Sequence, residues 1–521
     1  MIDATPLLRG YASLRQRRLA RKRAAEHQAD TLKQLVWRAA DTQFGRDHDF
    51  GTIGSIADYQ ARVPLRSFED FHADYFKAAF PVLDDVTWPG RIPYFAVSSG
   101  TSSGRTKHIP VSRDMLRSNS RAGTDLLANH VRNAPDSEVF DGRSFMLGGS
   151  VAMEDLGEGI KSGDLSGIAR LNNPRWSDPF VFPDIEEALE ADWENKIDRL
   201  ARLSLNEPIR CIAGTPSWLL LFFERLAAIT EKGRNVKAFY PGLDLMVYGG
   251  MSFAPYRSTF AEWFPDGDVD WREVYSASEG FVASADRGVD DGMRLNLDIG
   301  LFFEFVPIAE WESENPTRYW VGNAPAGEYG LVLTTCAGLW AYKIGDVVEL
   351  IPGEPPRVKV TGRTSYYLSA FGEHLSGAEL ERAVLAGAEA IGSTVAEFSV
   401  TPLYPEGGRT KGQHLFVVEL DDLPPREAQA RFAQTLDKTL AEHNEDYEVH
   451  RGGDVQMIAP EVVFVPRGGF ADWMRERGKL GGQNKVPRVL VSGSVRDSLL
   501  SFASRSRASP SREKQPEHEN G

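Results

Sequence analysis

Ser98-Ser99-Gly100-Thr101-Ser102-Ser103-Gly104-Arg105-Thr106-Lys107-His108-Ile109-Pro110 is the stretch on which the reading of this chain turns. The apolar and aromatic run from Ile92 to Val97 suits a short strand, and Ser112 can cap a helix opening at Arg113. The pattern predicts a strand, a Gly/Ser/Thr loop and then a helix. Such a loop offers backbone N–H groups, hydroxyls and the Lys107 ammonium to an anion, and glycine lets the backbone come close. A phosphate-bearing ligand is the guest it suits. The spacing is not that of the usual phosphate loop, because Gly100 and Gly104 stand four apart and Lys107 three further on. It is not a dinucleotide loop either, and an exposed Ser/Gly loop without a ligand is the competing reading.

A chain of 521 residues, 42% of them hydrophobic, can hold two to four domains, or one large α/β unit with a smaller one. Lys and Arg number 59 against 74 Asp and Glu, so the net charge of -15 argues against broad binding to nucleic acid or to an anionic membrane. A small anion needs only a local positive site. Cys211 and Cys336 are the only cysteines, too few for a disulfide framework or a cysteine metal site, and a reducing cytoplasm is the expected compartment. No apolar run is long enough to span a membrane. The arginine-rich run Arg15 to Arg23 reads as a solvated helix face, with a transit peptide as the alternative.

Residues 6 to 45 carry helical periodicity and read as a docking helix pair. Ser67 can cap a helix starting at Phe68. Arg113, Arg117 and Arg121 share one face of the helix after the loop, a face that is solvated or turned to a carboxylate substrate. Strands ending in glycine at Gly148, Gly214 and Gly249-Gly250, each leading toward a helix, predict a parallel sheet covered by helices. Ligands in such sheets gather at the strand C-terminal ends, which places these glycines and the Ser98 loop on one rim. Tyr275-Ser276-Ala277-Ser278-Glu279 ends a further strand and brings together an aromatic face, hydroxyls and a carboxylate suited to Mg²⁺ beside phosphates. Asp346 follows a glycine and can accept from ribose hydroxyls, or is simply a turn aspartate. Past the break at Ile351 to Pro356, the strands and helices predict a small α+β domain. From Ser504 the composition predicts a disordered tail.

Taken in order, these segments resemble the Gretchen Hagen acyl-acid amido synthetases, a branch of the adenylate-forming, luciferase-like superfamily, in a bacterial-type version. The Ser98 to Pro110 loop is similar to that family's first nucleotide motif, Tyr275 to Glu279 to its second and Tyr342-Lys343-Ile344-Gly345-Asp346 to its third. The likeness continues through Gly362-Arg363, Gly372-Glu373, Asn444 to Tyr447 and Gln483 to Arg488. It spans roughly residues 60 to 490.

The resemblance implies an α/β fold, with mixed or parallel sheets covered by helices in a large N-terminal domain (1–361) that binds ATP and the acyl acid. A smaller mobile α+β domain (362–503) carries the catalytic lysine loop, and 504–521 form the tail. By the same resemblance Ser98, Ser99, Gly100, Thr101, Ser102, Gly104 and Lys107 hold phosphates, and Gly249 and Gly250 lie on the nucleotide rim. Tyr275, Ser276, Ala277 and Ser278 border adenine, Glu279 binds Mg²⁺, Asp346 and Arg363 hold ribose, and Lys485 reaches the α-phosphate. The implied reaction joins a small carboxylic acid to an amine or amino acid through an acyl-adenylate; passage to a thiol, or nucleotide binding without catalysis, are the alternatives. Trp218 and Phe222 suggest an apolar or aromatic acid, unless they are core. Plant members tend to carry Tyr-Arg-Tyr-Arg before Gly-Asp and many carry Lys after Gly-Glu; Trp340-Ala341-Tyr342-Lys343 and His374 stand there here.

Overall fold

The computed structural model describes residues 3–98, 107–148, 151–189, 193–250, 253, 257–288, 291–311, 313–364, 367–368, 370–373, 375–405, 411–420, 422–452, 457–477, 486–490 and 493–508. Leaving 101–104 aside, the chain forms two compact units, one running to Ser365 and one starting at Tyr366.

The larger unit is built on a mixed twelve-stranded sheet. Val181–Phe182, Arg143–Met146, Ile209–Gly214, Leu245–Gly249 and Asp270–Ala277 lie side by side and parallel. Gly280–Ser284, Met293–Leu295, Arg357–Arg363, Tyr342–Ile351, Gly327–Thr335, Leu301–Pro307 and Tyr319–Trp320 continue it antiparallel. The parallel half puts Gly148, Gly214 and Gly249 at strand C-terminal ends, as the glycine-ended strands predict. Gly249 is a spacing requirement, since a Cβ there would stand 2.3 Å from the Val274 carbonyl oxygen of the next strand. Helices cover this sheet because their apolar stripes need burial. Thr5–Leu19 and Ala24–Arg38 are the expected helix pair, and the second buries Leu32, Leu35 and Val36. Ser67 caps Phe68–Phe71, its hydroxyl accepting from the Asp70 N–H while the Asp70 carboxylate accepts from the Ser67 N–H.

The smaller unit is a three-stranded sheet of Val395–Leu403, Gln413–Leu420 and Glu461–Val465. Gly377–Ala390 and Arg426–His443 pack on it, and Phe432, Leu436 and Leu440 of the second helix enter its core. A separate cluster holds Phe470, Trp473, Leu499 and Phe502. The helix Gly493–Ala508 runs past Ser504, where composition had placed the start of the tail. Phe502 and Ala503 are buried and Arg505 pairs with Glu476 at 2.7 Å, so anchorage carries the polar end of the helix. Residues 509–521 lie outside the described residues.

Candidate active site

The loop after Ser98 does not lead directly into a helix. Tyr94–Ser98 and Lys107–Val111 pair antiparallel, with Ser98 opposite Lys107, so residues 99–106 join two strands of a hairpin. The second strand buries Ile109, Pro110 and Val111 in succession, and the helix Arg113–Asn133 follows. Ser112 caps that helix, its hydroxyl accepting from the Met115 N–H at 3.0 Å. The hairpin belongs to a separate four-stranded sheet, so the parallel strands do not place it on their rim. Lys107 stands with its ammonium 5.4 Å from the centre of the Phe68 ring, a cation–π contact. Ser99, Gly100, Thr101, Ser102 and Gly104 lie outside the described residues. Arg113, Arg117 and Arg121 are all exposed, and Arg117 pairs with Asp114 at 2.9 Å, so this is a solvated face.

The second and third motif segments meet. Tyr275, near the end of the strand Asp270–Ala277, donates a hydrogen bond from its hydroxyl to Asp346, and both side chains are buried. Asp346 stands inside the strand Tyr342–Ile351 and not in a turn, directly after Gly345, whose φ of +88° only glycine adopts freely. Across the ladder Asp346 faces Arg363 in register. Ser276 and Ala277 complete the Tyr275 strand, and Ser278 and Glu279 form the two-residue turn into Gly280–Ser284. The Glu279 side chain is buried in that turn. Gly249 pairs with Val274, next to Tyr275, and Gly250 is exposed at a φ of +81°. Phe95 and Ile109 of the hairpin, Tyr275 and Tyr342 share one hydrophobic core, which ties the three segments together.

Phe222, read as a possible wall of an acyl pocket, is core: it is fully buried and meets the Phe145 ring edge-on at 4.8 Å. Trp218 on the same helix, Pro216–Thr230, is half-buried. In the run that departs from the plant pattern, Trp340 is buried and donates to the Thr87 carbonyl at 2.9 Å, and the Lys343 ammonium donates to the Trp311 carbonyl at 2.9 Å. Lys485 and His374 lie outside the described residues. Among the described residues no group of three His, Cys, Asp or Glu side chains can enclose a metal alone. Glu279 as a single carboxylate suits an ion that brings phosphate oxygens with it.

Glu273 was not legible in the sequence. Alternation along the strand places it on the face that carries Tyr275. Burial pushes its carboxyl up to about 7 while Arg257 and Lys359 pull it down. Only the strand assignment, read at period two from Tyr275, would have drawn attention to it.

Solved structures show the fold. An acyl acid amido synthetase, GH3.15, aligns with a TM-score of 0.56 at 16% identity, over 91% of this chain and 93% of its own. A 2-hydroxyisobutyryl-CoA ligase in complex with 2-HIB-AMP and CoA also aligns with a TM-score of 0.56 at 16% identity, over 91% of each chain. This is the adenylate-forming ligase fold. Residues 13–269, 295–363 and 378–494 match the N-terminal, central and C-terminal domains of the GH3 family. A probable indole-3-acetic acid-amido synthetase, GH3.9 of Oryza sativa subsp. japonica, is 30% identical over 68% of this chain and 77% of its own length. Matches to two further indole-3-acetic acid-amido synthetases span 43% and 56% of those proteins' lengths. The chain belongs to the GH3 family.

Proposed function

We propose that this protein is an ATP-dependent ligase that converts a small carboxylic acid to its acyl-adenylate, releasing pyrophosphate, and passes the acyl group to an amine or amino acid. The observation that carries the reading is the buried hydrogen bond from Tyr275 to Asp346, which joins two motif segments of a GH3 chain at one place. A carboxylate oxygen of the acid attacks the α-phosphorus and pyrophosphate leaves. The amine nitrogen then attacks the acyl carbon, AMP leaves with the bonding pair and the nitrogen loses a proton, giving the amide.

Each step gathers negative charge, so cations and N–H groups that face it lower the barrier. In this reading the 99–106 loop and Lys107 receive phosphates, Gly249 and Gly250 border the nucleotide, and Tyr275 to Ser278 lie along adenine. Asp346 and Arg363 receive the ribose, with Tyr275 fixing the Asp346 carboxylate. Glu279 would hold Mg²⁺, which offsets phosphate charge when bound. Lys485, in the smaller domain of 362–503, serves the α-phosphate, and rotation near Gly362 to Ser365 separates the two half-reactions. The acid is read as apolar or aromatic, and the compartment as the cytoplasm, where the free buried thiols of Cys211 and Cys336 stay reduced.

Pyrophosphate release measured with ATP, Mg²⁺ and a panel of carboxylic acids tests the first half-reaction, and product analysis with amino acids tests the second. Release without acid dependence, or no ATP binding by calorimetry, overturns the proposal. Lys485→Ala is expected to lose adenylation; full adenylation with loss of amide formation alone would contradict its role. Transfer to CoA is the second reading, because the CoA ligase shares the fold at the same TM-score as the amido synthetase. A thioester formed with CoA and no amide with any amine would establish it.

A further inference from the structure

The helix Thr5–Leu19 uses one side for packing. Thr5, Leu8, Ala12 and Arg15 are buried on its inner face. At about 100° per residue, Leu7, Gly10, Leu14, Arg17 and Arg18 fall on the opposite face. Leu7 and Leu14, two turns apart, are 79% and 67% exposed. The stripe continues beyond the helix into Arg21, Lys22 and Arg23, all exposed. Lys22 pairs with Asp30, and the Arg23 N–H donates to Glu26 at 2.8 Å. A chain with a net charge of -15 thus places five cations in the seven positions 17 to 23, beside two bare leucines.

We propose that the outer face of Thr5–Leu19 and the turn after it dock this protein onto an anionic lipid bilayer. The leucines suit the boundary between headgroups and acyl chains, and the arginines reach lipid phosphates over their own methylene stems. The total charge of -15 weighs against broad binding to such a surface, but not against a contact confined to this face. At physiological ionic strength charges are screened beyond about 8 Å, so the lipid surface meets the five cations of 17–23 with the Glu26, Asp30 and Glu354 carboxylates beside them, and not the rest of the acidic chain. A second copy of the chain fits less well. Leu7 and Leu14 by themselves expose far less apolar area than the roughly 800 Å² per partner that a stable protein interface buries. A polybasic segment with few apolar anchors is instead the pattern of reversible attachment to acidic lipid.

Flotation of the full chain with extruded vesicles tests the proposal, comparing phosphatidylcholine with a phosphatidylcholine–phosphatidylglycerol mixture. Co-flotation is expected only with the anionic vesicles and is expected to weaken as salt rises. The variants Leu7→Gln/Leu14→Gln and Arg17→Gln/Arg18→Gln/Arg21→Gln should each reduce it by at least about tenfold, the second by roughly a hundredfold. All five side chains are exposed, so thermal unfolding and acid-dependent pyrophosphate release should match the parent. Failure to float with anionic vesicles, equal flotation with neutral ones, or undiminished flotation of both variants overturns the proposal. Dimerisation in sedimentation velocity that the leucine variant abolishes, with no flotation, would assign the face to a second copy instead.

Discussion

Glu273 and Tyr275 stand two residues apart on one strand face, and their carboxyl and hydroxyl are in opposite situations. The Tyr275 hydroxyl has a buried carboxylate to donate to, whereas burial holds the Glu273 carboxyl at about 7, above its ordinary 4.5. A carboxyl whose pKa is raised on folding stabilises the fold only in its protonated form. That contribution is complete below about pH 4.5 and is lost as the pH climbs toward 7. Glu273→Gln removes the ionisation and should raise stability at pH 8 by up to about 3 kcal/mol, with no gain at pH 4. Urea denaturation of parent and variant at the two pH values checks this; an equal difference at both would show that Glu273 titrates normally. The contrast also marks what a sequence can carry at this scale. Tyr275, Glu279 and Asp346 were found as members of motifs, each legible over a few residues. Their meeting was not, because the hydrogen bond spans 71 positions and depends on strand pairings that no local pattern encodes.

The N-terminal helix pair was legible from periodicity, yet beside the apolar packing of Leu8 and Ala12 the first helix is fastened to the body by a polar cluster. Arg15 donates to Asp125 on the helix Arg113–Asn133 at 2.8 Å and, through both terminal nitrogens, to Asp298 at 2.6 Å. Tyr11 adds a hydrogen bond to Asp125 at 2.7 Å, and burial with that carboxylate pushes its hydroxyl up to about 12. Burial raises the Asp298 pKa, but hydrogen bonds and charge from Arg15 outweigh it and hold the carboxyl below its ordinary value. Arg15→Leu strands the buried Asp125 and the largely buried Asp298 carboxylates and should cost about 3 kcal/mol at pH 7. A lowered carboxyl pKa gives stability that is present above its ordinary value and lost as the pH falls through the folded one. The gap between parent and variant should therefore narrow in acid, as guanidinium titrations at pH 7 and pH 3 would show. Replacing Arg15, Asp125 and Asp298 together with apolar residues should cost far less than Arg15→Leu alone. The hairpin at Lys107 shows the opposite limit of legibility. Four residues with apolar Ile109 and Val111 are too few to distinguish a strand from a loop ending, so only its partner strand, Tyr94–Ser98, settles its state.

On the scale of the whole chain, the break at Ile351 to Pro356 was read as the approach to a domain boundary, and the two compact units divide a few residues beyond it. The smaller unit has the means to stand alone. Its cores run from Leu368 to Ala503 and include the fully buried Phe432, Trp473 and Tyr447. Within it Glu373 accepts from the Ala370 and Phe371 N–H groups at 3.0 and 2.6 Å and meets His414 at 2.8 Å, so this fully buried carboxylate is satisfied by the unit's own residues. A fragment of residues 366–508, about 140 residues long, lies in the size range in which single domains fold unaided. It should unfold cooperatively by circular dichroism, with a urea slope appropriate to a chain of that length. The fragment 1–365 keeps Tyr275, Glu279, Asp346 and the Ser98 loop but not Lys485. On the proposed division of labour it should bind ATP yet release no pyrophosphate when an acid is added. Acid-dependent release by 1–365 alone would place the whole of the first half-reaction in the larger unit. A fragment 366–508 that fails to fold would show that its core is completed by residues outside it.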